Sequence, residues 1–255
     1  ARDSQGDKPA PAFGPYRPVD KGSASGLTDH QKRHLERFIE RYTARTEASK
    51  RATADSRDRL ADPRTVAGFR SIWKELVYPI VVAKSAGSRL WDVNGNEYVD
   101  LVNGFGTNLF GHSPSFVVEA IQAQVKRGFE IGPQSTLAGP VAARICEMTG
   151  HERAAFCNTG SEAVSAAIRT ARTVTGRQTI AMFSGAYHGT FDEVLVRGTT
   201  VRGEPRSVPI APGIPESACA NVLVLEYGSQ SALDILRARR PELAALLVEP
   251  VQSRR

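Results

Sequence analysis

Residues 156–167 read FCNTGSEAVSAA. A short apolar run ends at Asn158-Thr159-Gly160-Ser161, and an alanine-rich helical pattern begins at once. Thr159-x-x-Glu162 is a capping box: the threonine hydroxyl accepts from the third helical amide, and the glutamate reaches back to the cap amide. That accounts for Thr159 and Glu162 but not for Gly160, because glycine in a first turn costs helix stability relative to alanine. A phosphate approaching the backbone accounts for it, since free amides and the helix dipole favour an anion there. Both readings stay open on this segment alone.

From about Gly139 the pattern around this corner alternates between α and β. A helix (PVAARICEMTG) precedes a strand (RAAFCN), and the helix SEAVSAAIRTARTVTG follows it. Then come the strand TIAMF, a loop containing SGAYHGTF, the strand NVLVLEY, the helix SALDILRARR and the strand LAALLVEPV. Short, continuously apolar strands separated by helices indicate a mostly parallel sheet covered on both faces, a three-layer αβα arrangement. Ligands bind such sheets at the carboxyl ends of the strands. Asn158 to Ser161, Ser184 to His188 and Glu249 all fall there.

The N-terminal half is organised differently. Residues 1–27, rich in Pro, Gly, Ser and Ala, read as a linker or tail. A helical extension occupies 28–78; its helix over Asp29 to Lys50 carries Leu35, Phe38, Ile39 and Tyr42 on one stripe. A segment over 79–138 follows, and 139–255 forms the first part of an α/β domain. SRLWDVNGNEYVDLV, 88–102, reads as a hairpin whose Asn94-Gly95 suits a two-residue type I′ turn. SPSFVVEAIQAQVKRG reads as a helix capped by Ser113 or Ser115 and stopped by Gly128.

The 255 residues are 41% hydrophobic and 24% charged, ordinary values for a globular protein. No apolar run is long enough for a bilayer and the N-terminus lacks a signal-peptide core, so no membrane is expected and the compartment is cytoplasmic. Cys146, Cys157 and Cys219 lack metal-ligand spacing and read as buried free thiols. The net charge of +6 is interleaved with acids rather than gathered into a stripe, which excludes nucleic acid as the expected partner. Nucleophile-elbow, P-loop and dinucleotide patterns are missing, and none of the five histidines forms a metal-ligand pair.

Two more segments carry candidate chemistry. In Gly185–Gly189 (GAYHG), an aromatic beside a histidine follows a strand; it lays a ring against a flat cofactor, or it is an ordinary loop with one buried aromatic. Glu249-Pro250 ends a buried strand, where the carboxylate points into the crevice or faces water.

WDVNGNEYVDLVNGFGTNLFGHSP, FCNTGSEAVSAAIRTAR, FSGAYHGTFDEVLV and LLVEPVQSRR occur in the order and spacing of class III pyridoxal-phosphate aminotransferases, which the chain resembles from about Ile80 to Arg255. These are fold-type I enzymes and include glutamate-1-semialdehyde aminomutase. The N-terminal GLTDHQKRHLERFIERYTARTEASK resembles the branch embedded in polyketide and hybrid peptide synthases. The resemblance implies that Thr159, Gly160 and Ser161 hold the phosphate of pyridoxal 5′-phosphate. It places Tyr187 on the pyridine ring, His188 beside it, and Glu249 near the cofactor and the substrate amine. It also implies a Schiff-base lysine and an aspartate on the pyridinium nitrogen, both expected beyond Arg255. The chain's seven lysines all lie at or before Lys126, so no catalytic residue of that kind is expected within it.

The resemblance therefore implies an incomplete portion of an aminotransferase, truncated before its catalytic lysine. The parent moves an amino group from an amino-acid donor to an aldehyde or keto acceptor, including one on an acyl carrier protein, and works as a homodimer. Two alternatives stand beside it: a non-catalytic interaction or dimerisation module, and a free-standing glutamate-1-semialdehyde-type aminomutase.

Overall fold

The computed structural model describes residues 26–62, 71–129, 131–201 and 204–252. The expected tail lies outside them apart from Gly26 and Leu27. The chain divides into two units, and their described residues span 26–135 and 136–252.

In the first unit, the expected helix is two: α1 (Asp29–Arg45) and α2 (Glu47–Ser56). The break falls at Thr46, whose buried hydroxyl bridges the Tyr42 carbonyl (2.7 Å) and the Tyr78 hydroxyl (2.7 Å). Sequence periodicity cannot show such a bond, because its partner lies 32 residues away. A Thr28/Gln31 capping box starts α1.

Strands β1 (Val82–Ala86), β2 (Arg89–Asp92) and β3 (Glu97–Val99) form an antiparallel meander. The β2–β3 hairpin is not closed by a type I′ turn. Asp92 N donates to Asn96 O (3.0 Å) and Gly95 N to Asp92 O (2.9 Å); of the Asn94-Gly95 pair only Gly95 (φ 83°) is left-handed. The buried Asp92 carboxylate causes the difference. It accepts from the amides of Asn94 (2.9 Å) and Asn96 (2.8 Å), from Asn96 Nδ2 and from Tyr98 Oη, drawing the turn around itself.

Burial disfavours the charged form of Asp92, yet bonds from Asn96, Tyr98 and Asn94 outweigh it and hold the carboxyl below its ordinary range. Its contribution is therefore complete at neutral pH and is lost as pH falls through that lowered value. Asp92→Ala is expected to destabilise this unit by about 2 kcal/mol, read by urea unfolding at pH 7, because four donors lose their acceptor. The deficit should shrink as the pH falls through that lowered value.

Helix α3 (Ser115–Arg127) stops at Gly128 as expected, but neither serine caps it. The cap position is Pro114, and Ser113 sits at φ 54°, which turns it away from that role.

The second unit opens with α4 (Ala138–Thr149) and α5 (Gly160–Thr175). It continues through β4 (Thr179–Phe183), an antiparallel hairpin of β5 (Val196–Val201) and β6 (Glu204–Pro209), and α6 (Glu216–Cys219). It ends with β7 (Val222–Leu225), α7 (Gln230–Ala238) and β8 (Leu243–Leu246). The central sheet is parallel, in the order β7-β4-β8. Its pleat divides the core. Ile180, Met182, Val222 and Val224 pack with Ile168 of α5, while Ala181, Phe183, Leu223 and Leu225 pack with Ala232 of α7. Helices thus cover both faces, the arrangement expected of fold-type I.

One expected strand does not form here, and one hairpin was not expected. Residues 153–158 form no strand, since β4 carries β7 and β8 on its two edges and no described strand lies beside the segment; Phe156 is 55% exposed. The β5–β6 hairpin escapes the sequence pattern because Gly198, Pro205 and Pro209 mask its alternation. The cysteines are free, but only Cys219 is buried; Cys157 is exposed.

Candidate functional site

The site is built where β4 and β8 end side by side and α5 begins. Thr159 caps α5 as expected. Its hydroxyl accepts from Glu162 N (3.2 Å), while Glu162 Oε2 accepts from Asn158 N (2.8 Å) and Thr159 N (3.1 Å). Ala163 N donates to the Thr159 carbonyl. This leaves the amides of Gly160 and Ser161 with no acceptor among the described residues. A Cβ on Gly160 would meet nothing within 4 Å. Neither crowding nor a left-handed backbone therefore explains a glycine at this position.

The loop after β4 is fixed at several points. Ser184 N donates to Leu225 O (2.7 Å), extending the β4–β7 ladder, and Leu247 N donates to Ala181 O (2.8 Å), extending the β4–β8 one. Glu249 Oε2 then accepts from Tyr187 N (2.9 Å), joining two candidate residues 62 positions apart. Gln252 Nε2 donates to Ser184 O (3.0 Å). At the loop's far end Thr190 N donates to Ser161 Oγ (3.1 Å). Gly189 (φ 121°) makes this junction possible, because a Cβ there would stand 2.7 Å from Ser161 Oγ and 3.0 Å from Ser161 Cα.

The structure thus brings Thr159, Gly160 and Ser161 to the loop carrying Tyr187 and His188, with Glu249 bonded to that loop. Tyr187 is 45% exposed. Burial lowers the His188 pKa below its ordinary value, and the Glu249 carboxylate opposes this more weakly, so the imidazole is neutral at about pH 7. Its Nε2 is buried without a hydrogen-bond partner, as is Gln252 Oε1.

Sequence reasoning missed Thr190 and Gln252. Both stand inside the recognised motifs, but their hydrogen bonds span 29 and 68 residues, a separation no local pattern reveals. Two free amides at the start of a long helix, a neutral imidazole, an aromatic ring and a carboxylate suit an anionic, flat, heteroaromatic ligand.

Comparison with known proteins agrees in kind. A family model described as aminotransferase class-III matches residues 72–255. A glutamate-1-semialdehyde 2,1-aminomutase of Aquifex aeolicus (strain VF5) is 37% identical over 178 residues, covering 68% of this chain and 41% of that protein. The chain thus spans about two fifths of the length of that curated relative. An omega-transaminase from Sphaerobacter thermophilus aligns with TM-score 0.71 and 27% identity, over 80% of this chain and 47% of that one. A solved transaminase with PLP bound aligns with TM-score 0.70 and 30% identity, over 82% and 48%.

Proposed function

This chain belongs to the class III aminotransferases, and we propose that it holds pyridoxal 5′-phosphate for the transfer of an amino group from an amino-acid donor to an aldehyde or ketone. One observation carries the proposal. The loop bearing Tyr187 and His188 is locked onto the start of α5 at Gly189–Ser161 and onto Glu249, so a phosphate cradle and a ring-binding surface share one sheet edge.

The residues fit the cofactor. The amides of Gly160 and Ser161 hold the phosphate with the α5 dipole behind them, and Thr159 fixes their direction by capping. Tyr187 supplies the face for the pyridine ring, and neutral His188 lies beside it without adding charge. Glu249 anchors the Tyr187 backbone and places a carboxylate near the amine. The cofactor itself, when bound, supplies the electron sink for amino transfer.

The resemblance of the N-terminal segment supports a setting in secondary metabolism, with the acceptor on an acyl carrier protein of a polyketide or hybrid peptide synthase. A homodimer belongs to the same proposal; highly exposed Phe105, Leu109 and Phe110 support it. Among the described residues no helix is long and apolar enough to cross a membrane. Action in the cytoplasm is likewise proposed.

Calorimetric titration tests the site. Pyridoxal phosphate should bind saturably, and pyridoxal, lacking the phosphate, at least about tenfold more weakly, since charge-assisted bonds are the strong ones. Equal binding of the two would sink the phosphate cradle. The curated relatives favour a second reading, intramolecular amino transfer. In the full-length enzyme, amine product formed only when an amino-acid donor is added supports the first reading; turnover of one substrate without a donor supports the second.

A further inference from the structure

We infer that Arg172 is a positioning residue for the cofactor loop. Through Glu193 it fastens the loop's exit to the last turn of α5, the helix whose first turn offers the amides of Gly160 and Ser161. The inference rests on the cofactor reading above and concerns a pair of residues to which that reading gives no role.

The loop after β4 closes in a 3₁₀ turn, Asp192–Val194. The core places its apolar residues, since Val194 is buried in the cluster with Ile168 and Phe191 packs against that cluster. Glu193 reaches α5 instead, where its Oε1 accepts from Arg172 Nη1 at 2.7 Å. Arg172 Nε donates at the same time to the carbonyl of Gln178, the residue before β4, at 2.8 Å. One planar guanidinium thus ties the entry of β4 and the exit of the loop to one turn of helix, which takes the fixed fork of an arginine.

Two features set this pair apart from a solvated one. Its side chains are 20% and 30% exposed, whereas those of the other arginine–carboxylate pairs among the described residues stand at 38% or more. Exposed pairs contribute little, and those others join residues of one helix, hairpin or turn rather than two elements. Moreover, Arg172 Nη2 is buried with no hydrogen-bond partner. An unpaired buried donor costs stability, so the guanidinium sits where Glu193 and Gln178 hold it rather than where its own bonds are best met.

The consequence reaches the site because Phe191 and Asp192 alone separate Glu193 from Thr190, whose amide donates to Ser161 Oγ. The loop therefore grips α5 twice, at the first turn through Thr190 and at the last through Glu193. Held at both points it cannot slide along the helix, and Tyr187 and His188 keep one register against the phosphate amides. Arg172 itself does not act on the phosphate. Its Cα lies roughly 16 Å along the helix from that of Ser161 at 1.5 Å per residue, and charges that far apart are screened at physiological salt. Loss of the guanidinium should cost the ring's share of binding and spare the phosphate's.

Calorimetric titration of the chain with inorganic phosphate and with pyridoxal phosphate tests the inference. Arg172→Met keeps the stem and removes the guanidinium; Glu193→Ala removes the acceptor. In both, pyridoxal-phosphate affinity should fall about tenfold while phosphate affinity stays within about twofold of the parent. The double variant should lose little more than the worse single one, because the two residues act through one bond. Glu193→Gln keeps an acceptor for Nη1 and should retain most of the affinity. Arg172→Lys, which keeps the charge but loses the fork, should shift the ratio of the two affinities in the same direction, and it supplies the test if the harsher variants do not fold. A merely structural role lowers the folded fraction and weakens both ligands by one factor. Equal loss of both ligands, or pyridoxal-phosphate affinity that ignores these variants, overturns the clamp, and tight binding by the parent then leaves the cofactor reading intact. A parent that binds pyridoxal phosphate no more tightly than inorganic phosphate overturns the cofactor reading and this inference with it.

Discussion

Gly189→Ala is expected to destabilise the α/β unit by about 4 kcal/mol and to abolish saturable binding of pyridoxal phosphate. Two effects add. At φ 121° an L residue occupies a region reserved almost wholly for glycine, which costs about 1–3 kcal/mol. The new Cβ would also stand 3.0 Å from Ser161 Cα, a backbone atom of the first turn of α5. Neither partner gives easily, because Thr159 and Glu162 pin the helix start and Glu249 and Gln252 pin the loop. The loop must lift from the helix, taking Tyr187 and His188 away from the amides of Gly160 and Ser161. Thermal unfolding should show a fall of roughly 10 °C. A second substitution, Ser161→Gly, removes the Oγ and Cβ contacts but leaves the Cα clash and the backbone strain, so only part of the loss should return. Parental stability and affinity in Gly189→Ala would falsify the junction.

The same junction shows why only part of the site was readable in advance. Thr159, Gly160 and Ser161 stand out because capping chemistry and the cost of a helical glycine are local. β4 and β7 are legible because strands buried on both faces become continuous apolar runs, TIAMF and VLVL. What failed was set by distant partners. Residues 153–158 are as apolar as a strand, yet apolarity forms a strand only beside a ladder. Asn94-Gly95 suits a type I′ turn, yet the Asp92 carboxylate imposes another geometry. Thr46 lies inside a good helical pattern, and Tyr78 ends it. The bond from Tyr187 to Glu249 falls in the same group: each residue is a candidate by itself, and only the fold joins them. Resemblance supplied the ligand, which no spacing of residues states.

Gly160→Asp separates capping from anion binding, because the two readings predict different outcomes for one substitution. On capping alone it is benign. The Cβ enters open space, and a carboxylate in a helix's first turn interacts favourably with the dipole by about 0.3–1 kcal/mol. Replacing a helical glycine also lowers the entropy of the unfolded chain. Stability should therefore hold or rise slightly. If the amides of Gly160 and Ser161 hold a phosphate, the carboxylate competes for them and repels the ligand's charge. A loss of about 3 kcal/mol, roughly a hundredfold in affinity, is then expected for pyridoxal phosphate. Pyridoxal should bind nearly as it does to the parent, since it brings no phosphate to repel. Gly160→Ala controls for bulk: it should match the aspartate variant in stability while losing far less affinity. Calorimetric titration of both ligands against the three proteins reads the result. A Gly160→Asp protein that binds pyridoxal phosphate as tightly as the parent returns Thr159 and Glu162 to capping alone and leaves Gly160 without a function.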